Sequence, residues 1–138
     1  MLSKTNVKYI QSLQHKKFRD EQGLFIAEGP KVVLELLISK KFELERIYGL
    51  KSWIQEIGRT LSLDNQNCLE EVTFFELEKI SQLITPNQVL AVFKKPYEEK
   101  EISINGQTSL VLEDIQDPGN LGTIIRAADW FGVKNIFC

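Results

Sequence analysis

The stretch from Leu112 to Gly132, LEDIQDPGNLGTIIRAADWFG, holds the residues of this 138-residue chain whose types and spacing could do chemistry. Three acids, Glu113, Asp114 and Asp117, lead into a Pro118-Gly119 turn, and Asn120 is the expected N-cap of the helix that follows. Leu121, Ile124, Ile125 and Ala128 share one helical face and are expected to pack on a sheet. Gly122, Arg126 and Asp129, at i, i+4 and i+7, form a second stripe. Arg126 comes about 9 Å after Asn120 along the axis, at 1.5 Å per residue. Gly119 and Gly122 leave room for a ligand or a backbone, and the free amides of a helix start favour an anion such as phosphate. Plainer roles fit the same residues. An arginine three positions before an aspartate is a surface ion pair worth a fraction of a kcal/mol, an asparagine can cap and do nothing else, and Asp-Pro-Gly can simply turn. Residue types alone leave both readings open.

The elements that must position this segment are legible from periodicity. Ser109 to Leu112 is an apolar strand, Leu121 to Phe131 a helix stopped by Gly132, and Lys134 to Phe137 the next strand. That order predicts a right-handed βαβ unit with parallel strands, and ligands of such sheets bind where the strands' carboxyl ends run into loops. Upstream, a helix over 4–13 with Ser3 as N-cap precedes a strand at 24–27, and Glu28 is expected to fix a helix start. Pro30 opens a helix running to Ser39. Then come a strand at 45–48, a helix from Trp53 to Leu61, a strand at 68–72 and a helix capped by Thr73 that includes Leu83. Residues 88–93, QVLAVF, read as a strand buried on both faces. The alternation predicts an α/β sandwich over residues 1–95, a polar linker over 96–107 and the opening of a second α/β domain at 108–138.

Composition narrows the function classes. Net charge is −2 with 26% charged residues, which disfavours a non-specific polyanion binder. Its distribution matters more. Residues 1–19 carry Lys4, Lys8, Lys16, Lys17 and Arg19 and no acid, a basic patch that could contact phosphates or simply be a solvated face. His15 beside them reads as a surface side chain. Two cysteines and one histidine are too few for a tetrahedral zinc site, so no metal is expected. No apolar run approaches a membrane span or a signal peptide, and a reducing, cytoplasmic setting with no membrane partner is expected.

The run DIQDPGNLGTIIRAA resembles the first signature motif of the SpoU (TrmH-like) RNA 2′-O-ribose methyltransferases: Asp-Pro, an Asn two residues on, Gly, then Arg and Ala. GLFIAEG at 23–29 is similar to that family's Phe-x-x-Glu-Gly opening, and QVLAV at 88–92 to the closing strand of its substrate-binding domain. The resemblance implies a ribosomal-protein-like α/β/α sandwich that presents RNA. It implies next the first βαβ unit of a SPOUT, or trefoil-knot, domain that binds S-adenosylmethionine and acts as a homodimer on ribosomal or transfer RNA. By motif position Arg126 and Asn120 are the catalytic pair. Arginine is an awkward base, so Arg126 is read as a phosphate anchor and stabiliser of the developing alkoxide, with the family's direct base role as the alternative. Asn120 orients the ribose or holds Arg126. Lys4, Lys8, Lys16, Lys17 and Arg19 become the candidate RNA contacts, which position without reading sequence.

The family's later motifs, which build the knot and cofactor loops, have no counterpart before Cys138. The expectation is therefore of a fragment with no cofactor-binding residues of its own and no unaided methylation. The alternative is a non-catalytic RNA-binding module. An unfinished apolar strand at 134–137 is expected to invite pairing.

Overall fold

The computed structural model describes residues 1–57, 63–96 and 104–138. They group into two compact units, Met1–Tyr97 and Glu98–Cys138.

In unit 1 the helices are α1 (Lys4–Ser12), α2 (Lys16–Gln22), α3 (Pro30–Ser39), α4 (Lys51–Ile57), α5 (Leu63–Asn67) and α6 (Phe74–Ile80), and the strands are β1 (Leu24–Glu28), β2 (Leu44–Gly49), β3 (Leu69–Glu71) and β4 (Val89–Lys94). The strands form one mixed sheet in the order β1-β4-β2-β3. β4 runs antiparallel to both neighbours, and β2 pairs with β3 in parallel. β4 is an interior strand, and its alternate residues feed two cores. Leu90 and Val92 join Ile10 and Leu13 from the α1 region and Leu77 and Ile80 of α6. Val89, Ala91 and Phe93 join Val33 of α3 and Trp53 and Ile57 of α4 on the opposite face. The continuous apolar run of β4 thus has the physical cause expected of it: both faces of its sheet are covered by helices.

Local chemistry sets the element ends. The Ser3 hydroxyl accepts the Asn6 amide at 3.1 Å, capping α1. Thr73 and Glu76 form a capping box on α6, and Glu76 Oε1 also accepts the Leu2 amide at 2.6 Å. These bonds, the Thr73 backbone amide first, hold the Glu76 carboxyl well below the usual range, at about 2. Gly29 caps α3 at φ 101 ahead of Pro30, a conformation that side-chain-bearing residues rarely adopt.

Several expectations change. α6 ends at Ile80, so Leu83 is outside it and exposed. Glu28 does not fix the start of α3. Its carboxylate accepts the Ser81 hydroxyl at 2.6 Å and the Gln82 amide at 2.7 Å, tying β1 to the segment after α6. α2 and α5 were not expected: the α2 sequence KKFRDEQ has one apolar residue and thus no period to read. Leu61, expected from sequence at the end of the helix that starts at Trp53, falls outside the described residues.

Unit 2 contains β5 (Ser109–Val111), α7 (Pro118–Trp130) and β6 (Asn135–Phe137). β5 and β6 pair in parallel, Leu110 opposite Ile136, the expected βαβ unit.

Candidate active site

α7 starts three residues earlier than expected, and Asn120 is not its cap. Asp117 is: its Oδ2 accepts the Asn120 amide at 2.7 Å. Pro118 takes the first helical position, where a missing N–H costs nothing. An Asp-Pro pair therefore acts here as cap and first turn, and Asn120 sits inside the helix with an exposed side chain. The far end is a Schellman arrangement: the Gly132 amide bonds Asp129 O at 3.0 Å and the Val133 amide bonds Ala128 O at 2.9 Å. Gly132 at φ 72 makes that reversal possible.

Between these ends Asn120, Thr123, Arg126 and Asp129 follow at intervals of three, an exposed oblique row on the helix. Thr123 lies between the two candidate catalytic residues, and its hydroxyl bonds back to Gly119 O at 3.0 Å. Asn120 and Arg126 share the row without a hydrogen bond to each other among the described residues. The surface ion pair of Arg126 with Asp129 is not formed, and no carboxylate among the described residues lies within 4.0 Å of the guanidinium. Both side chains are available to a ligand. A Cβ at Gly122 would meet nothing within 4 Å, so the space beside the row is open.

The packing face is narrower than predicted. Ala128 is buried, but Ile125 is 46% exposed. Two strands about 4.8 Å apart cannot cover the flank of a helix about 10 Å wide. The loop from β5 to α7 carries a backbone feature that sequence did not announce: Asp114 has φ 54, and its Oδ1 accepts the Gln116 amide group at 3.1 Å.

Among the five basic candidates in unit 1, Lys4, Lys8, Lys16 and Lys17 are exposed. Lys17 stands 3.9 Å from Glu21. Arg19 is partly buried, and its Nη1 donates to the carbonyls of Leu13 and Gln14 at 3.1 and 2.6 Å, clasping the α1–α2 connection. Asp20 pairs with Lys95, whose side-chain hydrogen bond holds the Asp20 carboxyl below its ordinary value. His15 is exposed, edge-on to Phe18. Among the described residues no cluster of three or more potential metal ligands occurs, and no described helix is long and apolar enough to cross a membrane.

This architecture is that of known RNA methyltransferases. Residues 4–91 match the MRM3-like substrate binding domain. The chain is 30% identical over 135 residues to the mitochondrial rRNA methyltransferase 3 of Xenopus laevis, covering 94% of this chain and 32% of the relative. It is 32% identical to the 23S rRNA (guanosine(2553)-2'-O)-methyltransferase RlmP of Bacillus subtilis, covering 94% of this chain and 49% of that protein. The AdoMet-bound rRNA methyltransferase from Sinorhizobium meliloti superposes with a TM-score of 0.76 at 31% identity, over 99% of this chain and 52% of that one. The chain belongs to the SpoU/TrmH family, with an MRM3-like substrate-binding domain at its front. It spans from about a third to about half of the length of these relatives.

Proposed function

We propose that this chain supplies the RNA-binding domain and the first catalytic segment of an S-adenosylmethionine-dependent RNA 2′-O-ribose methyltransferase. The observation that carries the proposal is the exposed row on α7. Asn120 and Arg126 stand unpaired, just after the carboxyl end of β5, at the positions of the family motif. In-line attack of a ribose 2′-oxygen on a sulfonium methyl asks the protein for alignment and for help with the proton. A guanidinium provides both if it holds the neighbouring phosphate and stabilises the alkoxide as it forms. Asn120 orients the ribose. Lys4, Lys8, Lys16 and Lys17 contact the RNA backbone, while Arg19 serves the fold that presents them. S-adenosylmethionine supplies the methyl group, its binding residues belong to the rest of the catalytic domain, and the active form is a homodimer.

The test is incubation of the full-length protein containing these residues with rRNA or tRNA and methyl-labelled S-adenosylmethionine. Label recovered in alkali-resistant dinucleotides supports ribose methylation. Label on bases, or none, refutes it. The second reading, a non-catalytic RNA-binding module, draws on the free lysines of α1 alone, and methyl transfer sensitive to Arg126→Ala would exclude it.

A further inference from the structure

Unit 1 contains a cavity of about 220 Å³ that the methyl-transfer reading does not use. Asn6 and Tyr9 of α1, Glu45, Arg46 and Tyr48 of β2 and Glu70 of β3 line it. Glu45 lies at the register shift between Leu44 and Arg46, the kind of bulge that re-aims side chains next to sites.

The central group is Tyr48. It is 5% exposed and packed in the core with Leu90 and Val92, yet among the described residues its hydroxyl has no hydrogen-bond partner. That hydroxyl is not sealed off from solvent, so it is free to donate to something that enters the cavity. Burial first, and then Glu70, push its phenol up, which keeps it a proton donor. Burial and Glu45 act the same way on Tyr9, which lines the cavity and is 40% exposed.

The lining selects its ligand by charge. Glu45 and Glu70 stand with Arg46 in the lining, so a flat group rich in donors, with its phosphate turned to the guanidinium, fits better than a bare anion. We propose that this cavity takes an unpaired guanine base of the RNA. A carboxylate, Glu70 or Glu45, accepts guanine N1–H and N2–H together. Among the four standard bases only guanine presents two adjacent donors on that edge. Tyr9 supplies the stacking face, the Tyr48 hydroxyl donates to the base, and Arg46 meets the flanking phosphate. Sequence-specific RNA recognition generally works this way, on splayed single-stranded bases held by aromatic rings and read at their Watson–Crick edge. The proposal rests on the RNA reading above and adds a base-reading element to a domain whose lysines only position.

The test is titration of the isotope-labelled 138-residue chain, separately, with GMP, IMP, AMP, CMP and UMP, followed by amide NMR. The expected result is shifts around Tyr9, Tyr48 and Glu70 with GMP, about tenfold tighter than with the other four. IMP lacks the N2 amine and should fall with the weak binders. Glu45→Gln with Glu70→Gln should abolish the preference, and Tyr48→Phe, which keeps the ring, should weaken GMP severalfold in a folded protein. No shifts at the cavity, or equal shifts with all five nucleotides, overturns the proposal. A single-stranded RNA that shifts Lys4 and Lys8 while leaving the cavity silent overturns the base site and spares the RNA reading. RNA that shifts neither overturns both.

Discussion

The two units reach stability by different routes. In unit 1 the sheet is covered on both faces, and Trp53, Phe93 and Leu90 are all within 1% of full burial. In unit 2 Ala128 is the buried residue among those described, while Val111, Trp130 and Phe131 are 75%, 84% and 81% exposed. Unit 1 is held by its own packed cores. Unit 2 is held by local terms: a three-residue ladder, the Asp117 cap and the Gly132 reversal. The candidate catalytic residues sit on the second kind of structure, with their side chains exposed.

The largest expected contrast is in core substitutions. Phe93→Ala should cost about 3–5 kcal/mol, read from the denaturant midpoint of the 138-residue chain, whereas Trp130→Ala should stay within about 0.5 kcal/mol. Equal costs would break the comparison. Within unit 2, Gly132→Ala forces a side chain into the left-handed region and should weaken α7 by about 1–2 kcal/mol, read as faster amide exchange in its last turn. Asp117→Ala should cost about 1 kcal/mol, with Asn120→Ala near zero in the same assay. The reverse order would restore Asn120 as the cap.

Unit 1 carries an acid-sensitive anchor. Glu76 titrates at about 2 when folded, against an ordinary 4.5, so its contribution is present above the unfolded value. That contribution is lost as pH falls from about 4.5 through about 2. Glu76→Gln should flatten that part of the pH–stability curve while leaving Met1–Leu2 less protected from exchange.

Much of this was readable because each signal had one physical meaning. The run VLAVF read as a strand buried on both faces, and Thr73 as a helix cap, whose partner Glu76 the structure adds as a capping box. Asp117-Pro118 carried two meanings, turn and helix start, and sequence favoured the turn; the hydrogen bond to the Asn120 amide decides for the start. Arg19 carried a charge that suggested phosphate, but its length lets it reach the carbonyls of Leu13 and Gln14 instead. Ile125 obeyed helical periodicity, yet burial depends on the width of what lies beneath the helix, which no local pattern states. Tyr48 gave no sign in sequence, because an unpaired hydroxyl is a property of the whole pocket.

The central claim is that Arg126 on α7 acts in methyl transfer. The most direct measurement is single-turnover methyl transfer to RNA by the full-length protein, unaltered and as Arg126→Ala, with RNA affinity measured alongside. The account predicts a loss of about 10²–10³ in rate with RNA binding little changed. An unchanged rate would contradict it.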